Sequence, residues 1–173
     1  MTQVTAWFDR KFDLSFPAEL YPNVIVRVRG TPARLEEIVG SQPSERLVAK
    51  EGAKWSAQET AGHLLDLEWL WRARVEDFIV GRADLTPADL KNRKTHEARH
   101  NERNIDDILS EFRLKRGELL ERISALDATD FQKTALHPRL KTPMRLVDHF
   151  FFIAEHDDHH LAQIWSKITA GPL

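Results

Sequence analysis

The chain has 173 residues, with 25 Lys and Arg against 27 Asp and Glu, eight His and no Cys. Its 42 % hydrophobic and 30 % charged residues suit one ordinary globular core, and a formal charge of −2 argues against a nucleic-acid-binding face. The lack of Cys excludes disulfides, thiolate nucleophiles, iron–sulfur clusters and Cys-based zinc fingers.

Residues 1–19, with Trp7 and Phe8, read as an irregular lead-in to a single domain spanning 1–173. Met1-Thr2-Gln3-Val4 lacks the basic-then-apolar pattern of a secretory leader, and no apolar run reaches the roughly 18 residues of a membrane span. A cytoplasmic protein with no membrane partner is therefore expected. Apolar positions Leu20, Val24, Val28, Leu35, Ile38 and Val39 suggest a helix over 22–40, but Pro32 within it predicts a kink or two separate pieces.

A second helix is expected from Ser56 to Val80. Ser56 and Glu59 have capping-box spacing, the stripe Thr60, Leu64, Leu67, Leu70, Trp71 and Phe78 follows, and Gly81 ends it. A third runs from about Asn104 to Leu126 on Ile105, Ile108, Leu109, Phe112, Leu119, Leu120, Ile123 and Leu126. The fourth is expected to start at Thr142-Pro143, with Thr as cap and Pro in the first turn, and to stop at Gly171-Pro172. Four such helices predict an all-α four-helix bundle. The connection over 81–103, about 23 residues, is too long for a hairpin. It suits an end-to-end crossover between helices two and three, hence up-down-down-up topology.

Four of the eight histidines fall between His149 and His160, a window where uniform scatter would put about half of one. With Ile153 at the centre of the last helix's inner stripe, His160 lies about 20° away, His149 about 40°, His156 about 60° and His159 about 120°. On the second helix His63 lies about 40° from Leu67. His63, His156 and His160 thus face inward, and positions 156 and 160 are one turn apart. If helices two and four are antiparallel the three also share a height, whereas His149 is roughly 16 Å from His160 along the axis. One inward histidine is ordinarily a hydrogen-bonded core residue, which is the reading for His149. Three at one level are better explained by a shared cation, since each buried imidazole would otherwise need its own partners.

The segment Trp55-Ser56-Ala57-Gln58-Glu59-Thr60-Ala61-Gly62-His63-Leu64 resembles the signature of the DinB/YfiT-like metalloenzyme family. The stretch His156-Asp157-Asp158-His159-His160-Leu161-Ala162-Gln163-Ile164 resembles that family's terminal helix. The likeness covers about residues 20–168. It implies the up-down-down-up bundle and divalent-metal ligation by His63, His156 and His160. Some relatives are metal-dependent transferases of low-molecular-weight thiols, some are isomerases using such a thiol, and they are often dimers, which leaves a homodimer open.

Three nitrogen ligands leave a position for water or substrate, suiting zinc or nickel, with iron a further option. The expected protein is then a metal-dependent enzyme acting on a small molecule through an activated water or external thiol, S-transferase-like or hydrolytic. The alternative is a non-catalytic metal-binding bundle serving as sensor, buffer or interaction module. A cavity beside an open coordination position would favour the enzyme; a shell closed by His159 or Asp157 would favour the alternative. Glu59, Asp66 and Asp157 are the candidates for an orienting or basic carboxylate; Asp157, inward on its helix, suits an orienting role, while Glu59 and Asp66 also fit a solvated flank. Lys91, Arg93, Lys94, Arg99 and Arg103 in the crossover read either as an anion-attracting lid or as a solvated link. Arg74 reads as a snorkelling or structurally paired residue, and Trp7, Trp55, Trp69, Trp71 and Trp165 as core or dimer surface.

Overall fold

A computed structural model describes residues 4–169. Two 3-10 turns, Trp7–Asp9 and Ala18–Leu20, lead into α1 (Tyr21–Val39), α2 (Ser44–Val48), α3 (Ala57–Asp66) and α4 (Glu68–Ile79). Then come α5 (Arg93–Glu97), a 3-10 turn at His100–Glu102, α6 (Ile105–Ser124), strands β1 (Thr134–His137) and β2 (Thr142–Arg145), and α7 (Leu146–Thr169). Met1–Gln3 and the expected Gly171-Pro172 stop lie outside the described residues.

Local signals explain most helix starts. Ser56 and Glu59 form the reciprocal capping box of α3, and the Asn104 side chain accepts from the Asp106 N–H at the start of α6. The expected helix over 56–80 is interrupted at Leu67, where the Leu70 N–H bonds back three residues to the Leu67 carbonyl.

The chain is mainly helical as expected, but the expected helix start at Thr142-Pro143 is wrong, because a short hairpin stands there. Thr142–Arg145 pairs antiparallel with Thr134–His137, setting Ala135 opposite Met144, and both are buried in the core. The helix begins after that hairpin, where the Asp148 carboxylate accepts from the Arg145 N–H at 2.8 Å and ties the first turn down.

Pro32 neither breaks α1 nor splits it in two: the helix is continuous from Tyr21 to Val39. Proline has no N–H for the carbonyl four residues earlier, that of Val28. The Arg116 guanidinium supplies the missing donor, bonding the Val28 oxygen through Nη1 at 2.7 Å. A side chain of α6 thus repairs the backbone of α1.

Arg116 also sits in a charged layer dividing the core. On one side pack Val28, Leu70, Trp71, Leu119, Phe150 and Ile153; on the other, Leu35, Leu64, Ile108, Phe112, Leu161 and Ile164. Between them Arg116 binds Glu68 (Nη2 to Oε1, 2.7 Å) and Asp157 (Nη1 to Oδ2, 2.7 Å), and Thr31 donates to the same Asp157 oxygen at 2.7 Å. Arg116 is 1 % exposed and Asp157 0 %. Burial favours the neutral acid at Asp157, yet Arg116 beside it holds the carboxyl down to about 2. At Glu68 burial prevails and pushes the carboxyl up, with Arg116 opposing.

Cross-helix pairs set the mutual register. Glu36 of α1 pairs with Arg113 of α6, while Glu68, Arg72 and Glu76 of α4 pair in order with Arg116, Glu118 and Arg122. Phe78 of α4 lies against His149 of α7, and His63 of α3 against His160. Among the described residues no helix is long and apolar enough to cross a membrane.

Candidate metal centre

Helix α3 carries His63 one turn before its end, and α7 presents His156 and His160 on successive turns of the facing side. One ligand atom from each of the three lies within 4.8 Å of the others, and among the described residues they are the one such group of His, Cys, Asp or Glu. Ring centroids are 4.8 Å apart for 63 and 160, 5.4 Å for 63 and 156, and 4.4 Å for 156 and 160.

The outer contacts aim the rings. Nδ1 of His160 lies 2.9 Å from the Gln163 Oε1, an acceptor that places the proton on Nδ1 and leaves Nε2 a lone pair. His63 Nδ1 lies 3.0 Å from the Thr95 hydroxyl of α5, which likewise leaves Nε2 free to face its neighbours. Burial, reinforced by the adjacent rings, drives His63 down to about 3 and His160 well below its ordinary value. Burial also lowers His156, against the opposing pull of Asp157. All three are therefore unprotonated at neutral pH.

The Nε2 atoms of His156 and His160 stand 3.1 Å apart. Two ligands of one tetrahedral zinc ion, each about 2.05 Å from it, stand about 3.3 Å apart. Neutral imidazoles at that spacing suit a divalent ion, and nickel accepts the same donors.

Beside the rings opens a cavity of about 410 Å³ whose walls include Trp55, Leu67, Trp71, Arg74, His137, Arg139, Phe152 and His159. His159 lies nearer the site than the helical-wheel angle predicts. It is buried, its ring 5.0 Å from that of His160, and burial followed by the adjacent His156 lowers it to about 4. It is nevertheless outside the converging group.

None of the three carboxylate candidates lines the cavity. Asp157 turns its Oδ2 to Thr31 and Arg116, and its Oδ1 is 4.0 Å from the His156 Nδ1. Glu59 is used at the helix start, accepting from the Ser56 N–H at 2.8 Å and pairing with Lys50 at 3.0 Å. Asp66 is no solvated flank: it is buried, with the His100 Nε2 at 2.8 Å and the Lys94 Nζ at 3.5 Å.

The crossover is not a link whose side chains touch nothing. His100 fills the space over Gly62, where a Cβ would overlap its ring, and Gln58 donates to the carbonyls of His100 and Arg103 at 2.7 and 2.8 Å. The crossover thereby carries Thr95 to His63. Nor does it act as a free basic arm: Arg93 pairs with Asp89 at 3.1 Å and Arg99 with Glu102 at 2.6 Å. His149 is buried among Trp71 and Phe78, but neither ring nitrogen has a hydrogen-bond partner among the described residues, contrary to the expected bonded core histidine. Arg74 does not snorkel; it is 2 % exposed and lines the cavity.

Of the residues the sequence reading passed over, Gln163 was within reach, one turn after His160 and inside the stretch that carries the family likeness. Thr95, Arg139 and His137 had no such signal, because chain segments far apart in sequence bring them to the site.

Fold and site together define a helical-bundle protein with a buried trio of imidazoles at the wall of a cavity. The chain belongs to the DinB superfamily, whose family model matches residues 27–164. Among solved structures it resembles YfiT from Bacillus subtilis, with a TM-score of 0.77 over 91 % of each chain at 19 % sequence identity. That protein is described as a probable metal-dependent hydrolase with an unusual four-helix bundle topology. No curated protein matches the sequence.

Proposed function

We propose that this protein is a metal-dependent enzyme in which His63, His156 and His160 hold one divalent ion, zinc or nickel before iron. The observation that carries the reading is the convergence of three unprotonated imidazoles on the wall of a 410 Å³ cavity. Such an ion lowers the pKa of a bound water or thiol and so supplies a nucleophile at neutral pH. The description of YfiT as a hydrolase favours water; the absence of Cys is compatible with a thiol brought from outside.

The chain's own residues do the rest. Gln163 and Thr95 hold the His160 and His63 rings in orientation by their Nδ1 contacts. Trp55 and Trp71 line the cavity beside the His63 and His156 rings and make that wall apolar. The reading takes the bundle as up-down-down-up within a single domain. The order of cross-helix pairs supports this, since α4 runs with α6, and α3 and α4 run against α7.

The test is metal content of protein purified without a histidine tag, then activity against a panel of esters, amides and thiol–electrophile pairs. One ion per chain, lost in His63→Ala and His160→Ala, is expected. A His160→Ala variant with full metal content would overturn the ligand assignment.

A further inference from the structure

Beyond the imidazoles two cations line the cavity, Arg74 and Arg139, and neither has a carboxylate within salt-bridge distance among the described residues. The Arg74 guanidinium donates Nε–H to the Thr86 carbonyl at 2.8 Å, and its Nη1 lies 3.2 Å from the His137 Nε2. Among the described residues no carboxylate lies within salt-bridge distance of it. Asp77 is the acidic group that acts on it, but its oxygens are taken by Thr86 at 2.6 and 2.7 Å and by Arg82 at 3.2 Å. Arg139 has no hydrogen bond among the described residues; its Nη2 is buried and its guanidinium lies over the Phe8 and Phe152 rings at 5.2 and 5.8 Å. Asp89 also lines the cavity, but at the exposed rim and paired with Arg93.

Burying a guanidinium without an anion is costly, and setting a second one near it adds repulsion. The contrast with Arg116 is instructive: that arginine, equally buried, has two carboxylates. Arginines left bare in a cavity are the arrangement proteins use to receive an oxyanion from outside. Arg74 leaves its Nη2 without a partner, Arg139 has no bonded guanidinium nitrogen though its Nη2 is sealed off, and both residues line the same cavity, which makes that end of it the place for one carboxylate.

The space between these cations and the imidazoles is walled by aromatic rings. Trp71 is 5.4 Å from the His156 ring and 5.7 Å from the Arg74 guanidinium carbon. Phe152 is 5.0 Å from the His137 ring. That lining suits an apolar body.

We propose that Arg74 and Arg139 form a carboxylate subsite, and that the substrate is a small molecule with a carboxylate at one end and an apolar body. Its reacting group then lies toward His63, His156 and His160. Only this last placement rests on the metal-dependent reading.

The test is binding of 3-phenylpropionate and its uncharged amide to the full chain as purified, followed by calorimetry, with zinc-loaded and chelator-treated protein measured in parallel. The acid is expected to bind at least about tenfold more tightly than the amide, as two charge-assisted hydrogen bonds allow. That preference is expected to vanish in Arg74→Met and in Arg139→Gln, both with unchanged metal content. Arg139→Gln, at the less buried position, keeps the test decisive should Arg74→Met fail to fold. Equal or absent binding of the two probes would overturn the subsite, as would a preference that survives Arg139→Gln. A preference present in protein that binds no metal would sustain the subsite and refute the metal centre instead.

Discussion

Replacing Arg116 with methionine keeps much of the side chain's apolar length and deletes the cation of the charged layer. Two carboxylates, Glu68 and Asp157, then lie buried with their main partner gone, and the Val28 carbonyl loses the donor that stands in for the missing Pro32 N–H. Breaking a buried pair in this way costs about 3–5 kcal/mol, and the orphaned carbonyl adds about 1 kcal/mol. The pH dependence gives the sharper test. In the native protein Asp157, held to about 2, contributes stability above its unfolded value that is lost as pH falls toward 2. Without Arg116, burial raises both carboxyls above their unfolded values. Stability is then whole only below pH ~4 and is lost as pH rises through the raised values, by up to about 1.4 kcal/mol per carboxyl per pH unit. Urea unfolding at pH 5 and pH 8 should therefore show a deficit that is larger at pH 8. Adding Glu68→Gln and Asp157→Asn should recover most of it. A deficit below about 1 kcal/mol, or one equal at both pH values, would refute the account of the layer.

Gly62→Ala should push His100 and the crossover off α3, drawing Thr95 from His63; a fall in both melting temperature and zinc affinity is expected, and an unchanged affinity would disconnect the crossover from the site. Gln163→Leu should weaken zinc binding about 10- to 100-fold while leaving helical content by circular dichroism intact. In metal-free protein the imidazoles of His63 and His137, both held near 3, and of His159, near 4, oppose protonation in the fold. Their folded values lie below the unfolded one, so stability should fall as pH drops below about 6.5, and zinc should move that acid transition lower; a flat profile from pH 7 to 4 would contradict it.

The amphipathic stripes made α1, α3–α4, α6 and α7 legible, because each helix buries one face and the 3.6-residue period survives in the spelling. The hairpin did not show. Two four-residue strands are too short for a period of two to register, and Thr142-Pro143 has the chemistry of a helix start. The unbroken path of α1 through Pro32 depends on Arg116, distant in sequence, which local pattern cannot reveal. At the site, His63, His156 and His160 were readable from face and height. Their outer contacts divide by distance: Gln163 is one turn from its histidine, but Thr95 arrives on a crossover whose packing on Gly62 no motif announces. Asp157 faces inward as read, but toward Arg116 rather than toward the cavity.

The tryptophans crowd the imidazole trio unevenly. Trp55 is 4.7 Å from the His63 ring, and Trp7 and Trp71 are 5.1 and 5.4 Å from that of His156. The other two, Trp69 and Trp165, stand 52 % and 56 % exposed. The protein thus carries its own optical probe. A soluble quencher such as iodide should silence the outer pair first, leaving an emission that comes mainly from indoles touching the histidines, so that what enters the cavity can be followed by light without a label.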